Sequence, residues 1–145
     1  MINAAAAGVS GRVFLAAHLC FGNFLGRPLS KRAYRPVLEQ ALAFNVGELV
    51  LEWANREMAE LDVAADVTAA GRHLSAGVID VKNYYLETAD DVAERIEKLL
   101  AAGVPESHLS LVPDCGFSQT ARWATKPKLA ALVAGRDLVL GRRSA

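Results

Sequence analysis

Four side chains able to donate to a metal stand at three places in this chain. His18 and Cys20 stand two apart at the end of the apolar run "RVFLAAHLC". Glu52 closes the run "GELVLE", and Cys115 follows "HLSLVPD". Residues two apart on a strand point to the same side, so His18 and Cys20 face one space together. Imidazole nitrogen, thiolate sulfur and carboxylate oxygen are the donors zinc takes. If the strands that carry them lie side by side in a curved parallel sheet, all four converge above the strand ends. Each also admits a plainer role: cysteine as a small buried hydrophobe, His18 as a hydrogen-bonded core histidine, and Glu52 as a helix-start carboxylate. An H-x-C pair alone is a weak zinc signature, because strong ones carry two close pairs.

The elements that must position these groups alternate regularly. "RVFLAAHLC" has strand length and is followed by "KRAYRPVLEQALAF", where Tyr34, Val37, Leu38, Ala41 and Leu42 recur at helical spacing. "GELVLEW" reads as a second strand, and "MAELDVAADVTAAG" as a helix ending at Gly71. "SAGVIDVKNYY" reads as a third strand. "TADDVAERIEKLLAAG" is the clearest helix: Thr88 caps it, Asp90 and Asp91 suit its positive end, Val92, Ile96, Leu99 and Leu100 form its apolar face, and Gly103 stops it. "HLSLVPDCG" reads as a fourth strand. "KPKLAALVAG" reads as a fourth helix with Pro127 in its first turn and Gly135 as its stop. His73 and His108 fall in connections and are expected at the surface.

Four strand–helix units predict an α/β fold of parallel (β/α) units. The strands are apolar at nearly every position, as when both faces are covered. Each ends on its C-terminal side in polar residues, the edge where such folds bind ligands. Residues 1–12, "MINAAAAGVSGR", are expected to be a mobile small-residue arm before a single unit over 13–145. With 52% hydrophobic and 22% charged residues, the 145-residue chain has the composition of a globular domain. Lys plus Arg and Asp plus Glu balance at 16 each, which argues against nucleic acid or an anionic membrane as main partner. No apolar run has the length of a membrane span. The expected location is cytoplasmic, with two cysteines more suited to thiol or metal chemistry than to a disulfide.

The motifs "HLCFGN", "LVLEWAN", "GVIDVKNYYLET" and "LVPDCGF" stand in the order and spacing of the cobalamin-independent methionine synthases. From Val13 to Leu140 the chain resembles the C-terminal half of that family's catalytic barrel. It is also similar to the epoxyalkane:coenzyme M transferases. The resemblance implies half of a TIM-type barrel and zinc as cofactor, with His18, Cys20, Glu52 and Cys115 as ligands. It implies methyl or alkyl transfer to a small, homocysteine-like thiol from a donor such as a methylated folate. It also implies an acid, because a leaving nitrogen must gain a proton. The family's Asp-x-His reads Asp80–Val81–Lys82 here. Lys82 therefore serves as acid only if burial lowers its pKa from ~10.4; otherwise it holds an anionic substrate group, lies in solvent or pairs with Asp80. Asn23, Tyr84, Glu87, Asp114 and Arg122 are the further candidates for substrate contacts or for supporting the site. A full barrel needs eight units and ~250 residues. The alternative is accordingly a non-catalytic zinc-binding half-barrel or a fragment, completed by a second copy in a homo-oligomer or by a separate half-barrel chain.

Overall fold

A computed structural model of the chain describes residues 2–9, 11–24 and 26–144. A short helix α1 (Ile2–Ala6) precedes strand β1 (Ala16–Leu19), and helix α2 (Leu38–Leu42) leads to β2 (Glu48–Glu52). Then follow α3 (Leu61–Ala69), β3 (His73–Ile79), α4 (Ala89–Ala101), β4 (Leu109–Pro113) and α5 (Arg122–Ser144). Within residues 1–12, α1 is tied to the body by Asn3, which donates to the Ala43 carbonyl at 2.9 Å and accepts from the Asn45 amide at 2.7 Å.

The four strands pair in parallel in the order β1-β2-β3-β4. Sequential order without a reversal is the order of a barrel; a doubly wound sheet switches direction at its first strand. The centre of the sheet is the driest part. In β3 every residue after His73 is buried, and β2 buries Leu49, Leu51 and Glu52, whereas β1 and β4 are only partly covered. Val63 and Val67 of α3, and Val92, Ile96 and Leu99 of α4, close one core with Leu49, Leu74, Ala76 and Val78 of the sheet. The outer edges of β1 and β4 have no strand partner among the described residues.

Helix α4 has the expected cap. The Asp91 amide donates to Thr88 Oγ1, the Thr88 amide donates to the Asp91 carboxylate, and Gly103 adopts φ +98° just past the end. Helix α5 departs from expectation. It begins five residues before Pro127 and runs through Gly135 to Ser144. Gly135 is no stop because it is a contact point. A Cβ there would lie 2.5 Å from Val92 Cβ and 2.8 Å from the Ala89 carbonyl, so the missing side chain lets α5 lie against α4. The histidines also differ. His73 is the first residue of β3 and stacks on His108 (ring centroids 4.8 Å apart), with Phe14 edge-on at 5.9 Å; both histidines are half-buried. Among the described residues no helix is long and apolar enough to cross a membrane.

Candidate metal centre

The C-terminal ends of β1, β2 and β4 converge. His18, Cys20, Glu52 and Cys115 each offer one ligand atom, and these atoms lie within 4.8 Å of one another. In register, His18 sits beside Val50 of the neighbouring strand, and its Nδ1 lies 3.0 Å from the Val50 carbonyl. A carbonyl only accepts, so this contact puts the proton on Nδ1 and leaves Nε2 as the free donor atom. Cys20 is exposed and Cys115 half-exposed, and both are free thiols. Burial pushes the Cys115 thiol up, and the neighbouring Cys20 adds to the shift. Glu52 is fully buried. Its Oε2 accepts from the Phe21 amide at 3.3 Å, and its Oε1 takes the Lys82 ammonium at 2.6 Å.

Glu52 is held from behind by Tyr34. The Tyr34 hydroxyl accepts from the Glu52 amide at 2.7 Å and donates to the Leu19 carbonyl at 3.0 Å, so one phenol ties the ends of β1 and β2. Burial raises its pKa. Arg56 lies over the Tyr34 and Phe21 rings, 4.8 and 5.0 Å from their centroids. In the sequence Tyr34 read only as part of an apolar face, because nothing local marks its hydroxyl as a link between strands.

Asp80 and Lys82 share the next strand end. The Lys82 amide donates to Asp80 Oδ1 at 2.7 Å, while the ammonium pairs with Glu52 and not with the Asp80 carboxylate. Burial holds the Asp80 carboxyl above its ordinary value. Tyr84 is exposed and stacks on Trp123, with centroids 5.6 Å apart. A recess of 60 Å³ beside Lys82 is lined by Asn83, Tyr84, Gln119 and Thr120 among others. Asn23 donates to the Gly116 carbonyl at 3.4 Å, joining the loop after β1 to the one after β4, and its Oδ1 is buried with no protein donor. Arg122 stands exposed at the start of α5.

Two of the expected substrate contacts face inward. Asp114 is fully buried and accepts from the amides of Trp53, Ala54 and Asn55 at 2.6–3.0 Å and from Asn55 Nδ2 at 2.8 Å. It therefore fastens the loop after β2, in which Glu57, Met58 and Glu60 all adopt positive φ. Burial pushes its carboxyl up to about 7. Gly77 makes room for it, since a Cβ at that position would lie 2.2 Å from Asp114 Oδ1. Glu87 is likewise enclosed. It accepts from the Asp80 amide at 2.9 Å, from Arg95 at 3.2 Å and from the buried Lys128 ammonium at 2.8 Å. Lys128 also reaches the carbonyls of Asp80 and Tyr85. Both carboxylates have spent their oxygens on the protein and brace the mouth of the site from below. Lys128 was not singled out in the sequence. The available signal was its place on the face shared by Ala124, Ala131 and Gly135 of α5.

Imidazole, two sulfurs and one carboxylate make a four-donor set whose chemistry fits zinc. Residues 4–136 match the family model described as cobalamin-independent synthase, catalytic domain. The chain is 32% identical to a 2-hydroxypropyl-CoM lyase of Xanthobacter autotrophicus, over 94% of this chain and 43% of that protein. It is 31% identical to a methionine synthase of Thermococcus kodakarensis, over 95% of this chain and 37% of that protein. A B12-independent methionine synthase from Shewanella sp., solved in complex with selenomethionine, superposes with a TM-score of 0.78 at 26% identity, covering 92% of this chain and 41% of that one. The chain thus spans about two fifths of the length of these relatives.

Proposed function

Since the chain belongs to the cobalamin-independent methionine synthase family, we propose that it provides the zinc-bearing half of a methyl- or alkyltransferase acting on a small, homocysteine-like thiol. The observation that carries this reading is the gathering of His18, Cys20, Glu52 and Cys115 within 4.8 Å at the strand ends. When bound there, zinc supplies the deprotonation that a thiol with a free pKa of ~8.5 lacks at neutral pH. His18 contributes through Nε2, fixed by its contact with the Val50 carbonyl. Two thiolates and one carboxylate give the loaded site a formal charge of about −1, which keeps a substrate sulfur electron-rich. Glu52, the hardest of the four donors, is the ligand suited to yield when a substrate thiol enters. Asn23 presents an unpaired buried Oδ1 beside the loop that follows Cys115, an acceptor for a substrate N–H. Tyr84 and Lys82 flank the mouth, and Asp80 fixes the Lys82 backbone. Homocysteine is the first choice for the thiol, and a methylated folate is one candidate for the methyl donor. Free thiols of this kind suit a reducing compartment, which supports a cytoplasmic location.

The test is metal analysis with a thiol-alkylation assay. Protein purified without chelators is expected to hold about one zinc per chain, and Cys20→Ser to lose it while keeping its circular dichroism. Metal-free wild type, or full zinc retention in both Cys20→Ser and Cys115→Ser, refutes the reading. A second reading is favoured by the outer edges of β1 and β4, which have no strand partner among the described residues: zinc binds, but transfer needs a partner half-barrel, either another copy or another chain. Zinc-loaded protein that alkylates no thiol by itself selects this reading.

A further inference from the structure

Two cations have a claim on the Glu52 carboxylate. Oε1 of this fully buried carboxylate takes the Lys82 ammonium at 2.6 Å, with the lysine side chain only 5% exposed. Oε2 is already engaged with the Phe21 amide. Glu52 is also one of the four residues whose ligand atoms cluster within 4.8 Å. Lys82 is thus a positive charge held at the wall of a cation site, satisfied by a side chain that the site needs. A doubly charged ion on the same carboxylate meets that ammonium at short range and in a poorly solvated place, where like charges repel strongly. The long, flexible lysine stem offers a way out, toward the recess lined by Asn83, Tyr84 and Gln119.

Resting on the zinc reading above, we infer that Lys82 and the metal compete for Glu52, so that filling the site turns the Lys82 ammonium out into the mouth. The consequence is an ordered site. Until metal arrives, the lysine neutralises a buried carboxylate that would otherwise be costly to keep charged. Afterwards the ammonium is free to meet an anionic group of a substrate. Lys82 therefore acts as a positioning residue for Glu52 in one state and faces substrate in the other.

The probe is zinc itself, titrated into the full chain against a chromophoric chelator. Lys82→Met is expected to bind zinc at least ten times more tightly than wild type, and that gain is expected to shrink below threefold in a Glu52→Gln background. An unchanged or weaker affinity in Lys82→Met overturns the inference, since the ammonium would then be supporting the ligand. An equal gain in the Glu52→Gln background also overturns it, because simple repulsion at a distance would account for the effect. Failure of wild type and Lys82→Met alike to bind zinc overturns the inference together with the zinc reading, whereas zinc binding by both at equal affinity leaves that reading standing alone. Should Lys82→Met fold poorly, amine labelling of wild type read by mass spectrometry serves instead. Labelling of Lys82 is expected to rise at least fivefold with zinc, and no rise refutes the exchange.

Discussion

Lys128 is the most exacting test of how the mouth is built. Its ammonium is fully buried on α5 and holds three acceptors: the Glu87 carboxylate and the carbonyls of Asp80 and Tyr85. Lys128→Met keeps the stem's packing and removes the charge. Two carbonyls then lose a charge-assisted donor, and Glu87 keeps only Arg95, at 3.2 Å, and the Asp80 amide. Removing one partner of a buried pair costs about 3–5 kcal/mol. The remaining Arg95 contact softens the loss, so about 3 kcal/mol is expected. In a chain of this size that corresponds to a Tm lower by roughly 6–12 °C. Urea and thermal melts followed by circular dichroism give the number. Lys126→Met, on an exposed position of the same helix, is the control and is expected to stay within about 0.5 kcal/mol of wild type. Adding Glu87→Gln to Lys128→Met is expected to recover about 1–2 kcal/mol, because the unpaired charge goes with it. A Lys128→Met variant as stable as Lys126→Met refutes the reasoning, and the 80–87 segment would have to be held by other contacts.

Two further outcomes check neighbouring parts of the fold. Gly135→Ala gains about 1 kcal/mol of helix propensity but places a methyl 2.5 Å from Val92 Cβ. Overpacking of that kind costs about 1–3 kcal/mol, so a net loss in urea melts is expected, and a stabilised variant would show that α4 and α5 separate easily. For Asp91, the Thr88 amide holds the carboxyl below the usual aspartate value. A depressed native pKa stabilises fully above the unfolded-state pKa of ~3.9 and loses its effect as pH falls through the native value. Asp91→Asn is therefore expected to cost about 0.5–1 kcal/mol at pH 7, with the gap to wild type closing below pH ~3.5; a gap that persists at pH 2–3 contradicts the capping account.

The parts of the molecule legible in the sequence are those encoded by neighbours along the chain. The α4 cap lies within four residues, from Thr88 to Asp91, and the apolar runs of β2 and β3 mark buried strands directly. His18 and Cys20 announce a shared direction because a strand has period two. What stayed hidden depends on groups brought from elsewhere. Asp114 and Glu52 are both acids at strand ends, and nothing local separates them. The difference is that the loop after β2 turns its amides onto Asp114, whereas Glu52 meets only one amide and a lysine. Gly135 looked like a helix stop because glycine serves that purpose so often; its reason here is the approach of α4, whose Val92 lies 43 positions earlier. Lys128 carried no mark near the expected helix start, since its three acceptors all come from the segment after β3.

The four donors are not evenly spread over the sheet. Two come from the C-terminal end of its first strand and the residue just past it, one from the second and one from just past the last, and the two centre strands contribute Glu52 alone. A ligand gripped by all four would therefore act as a drawstring across the mouth. It would fix the bow of a sheet whose outer edges are otherwise bound only through their inner neighbours, and it would join residues 97 positions apart, His18 and Cys115. The bow sets how far apart the outer edges of β1 and β4 stand, neither of which has a strand partner among the described residues. On the proposed function, a metal held there would also gauge barrel closure, and loading it would change the shape that any completing half has to match.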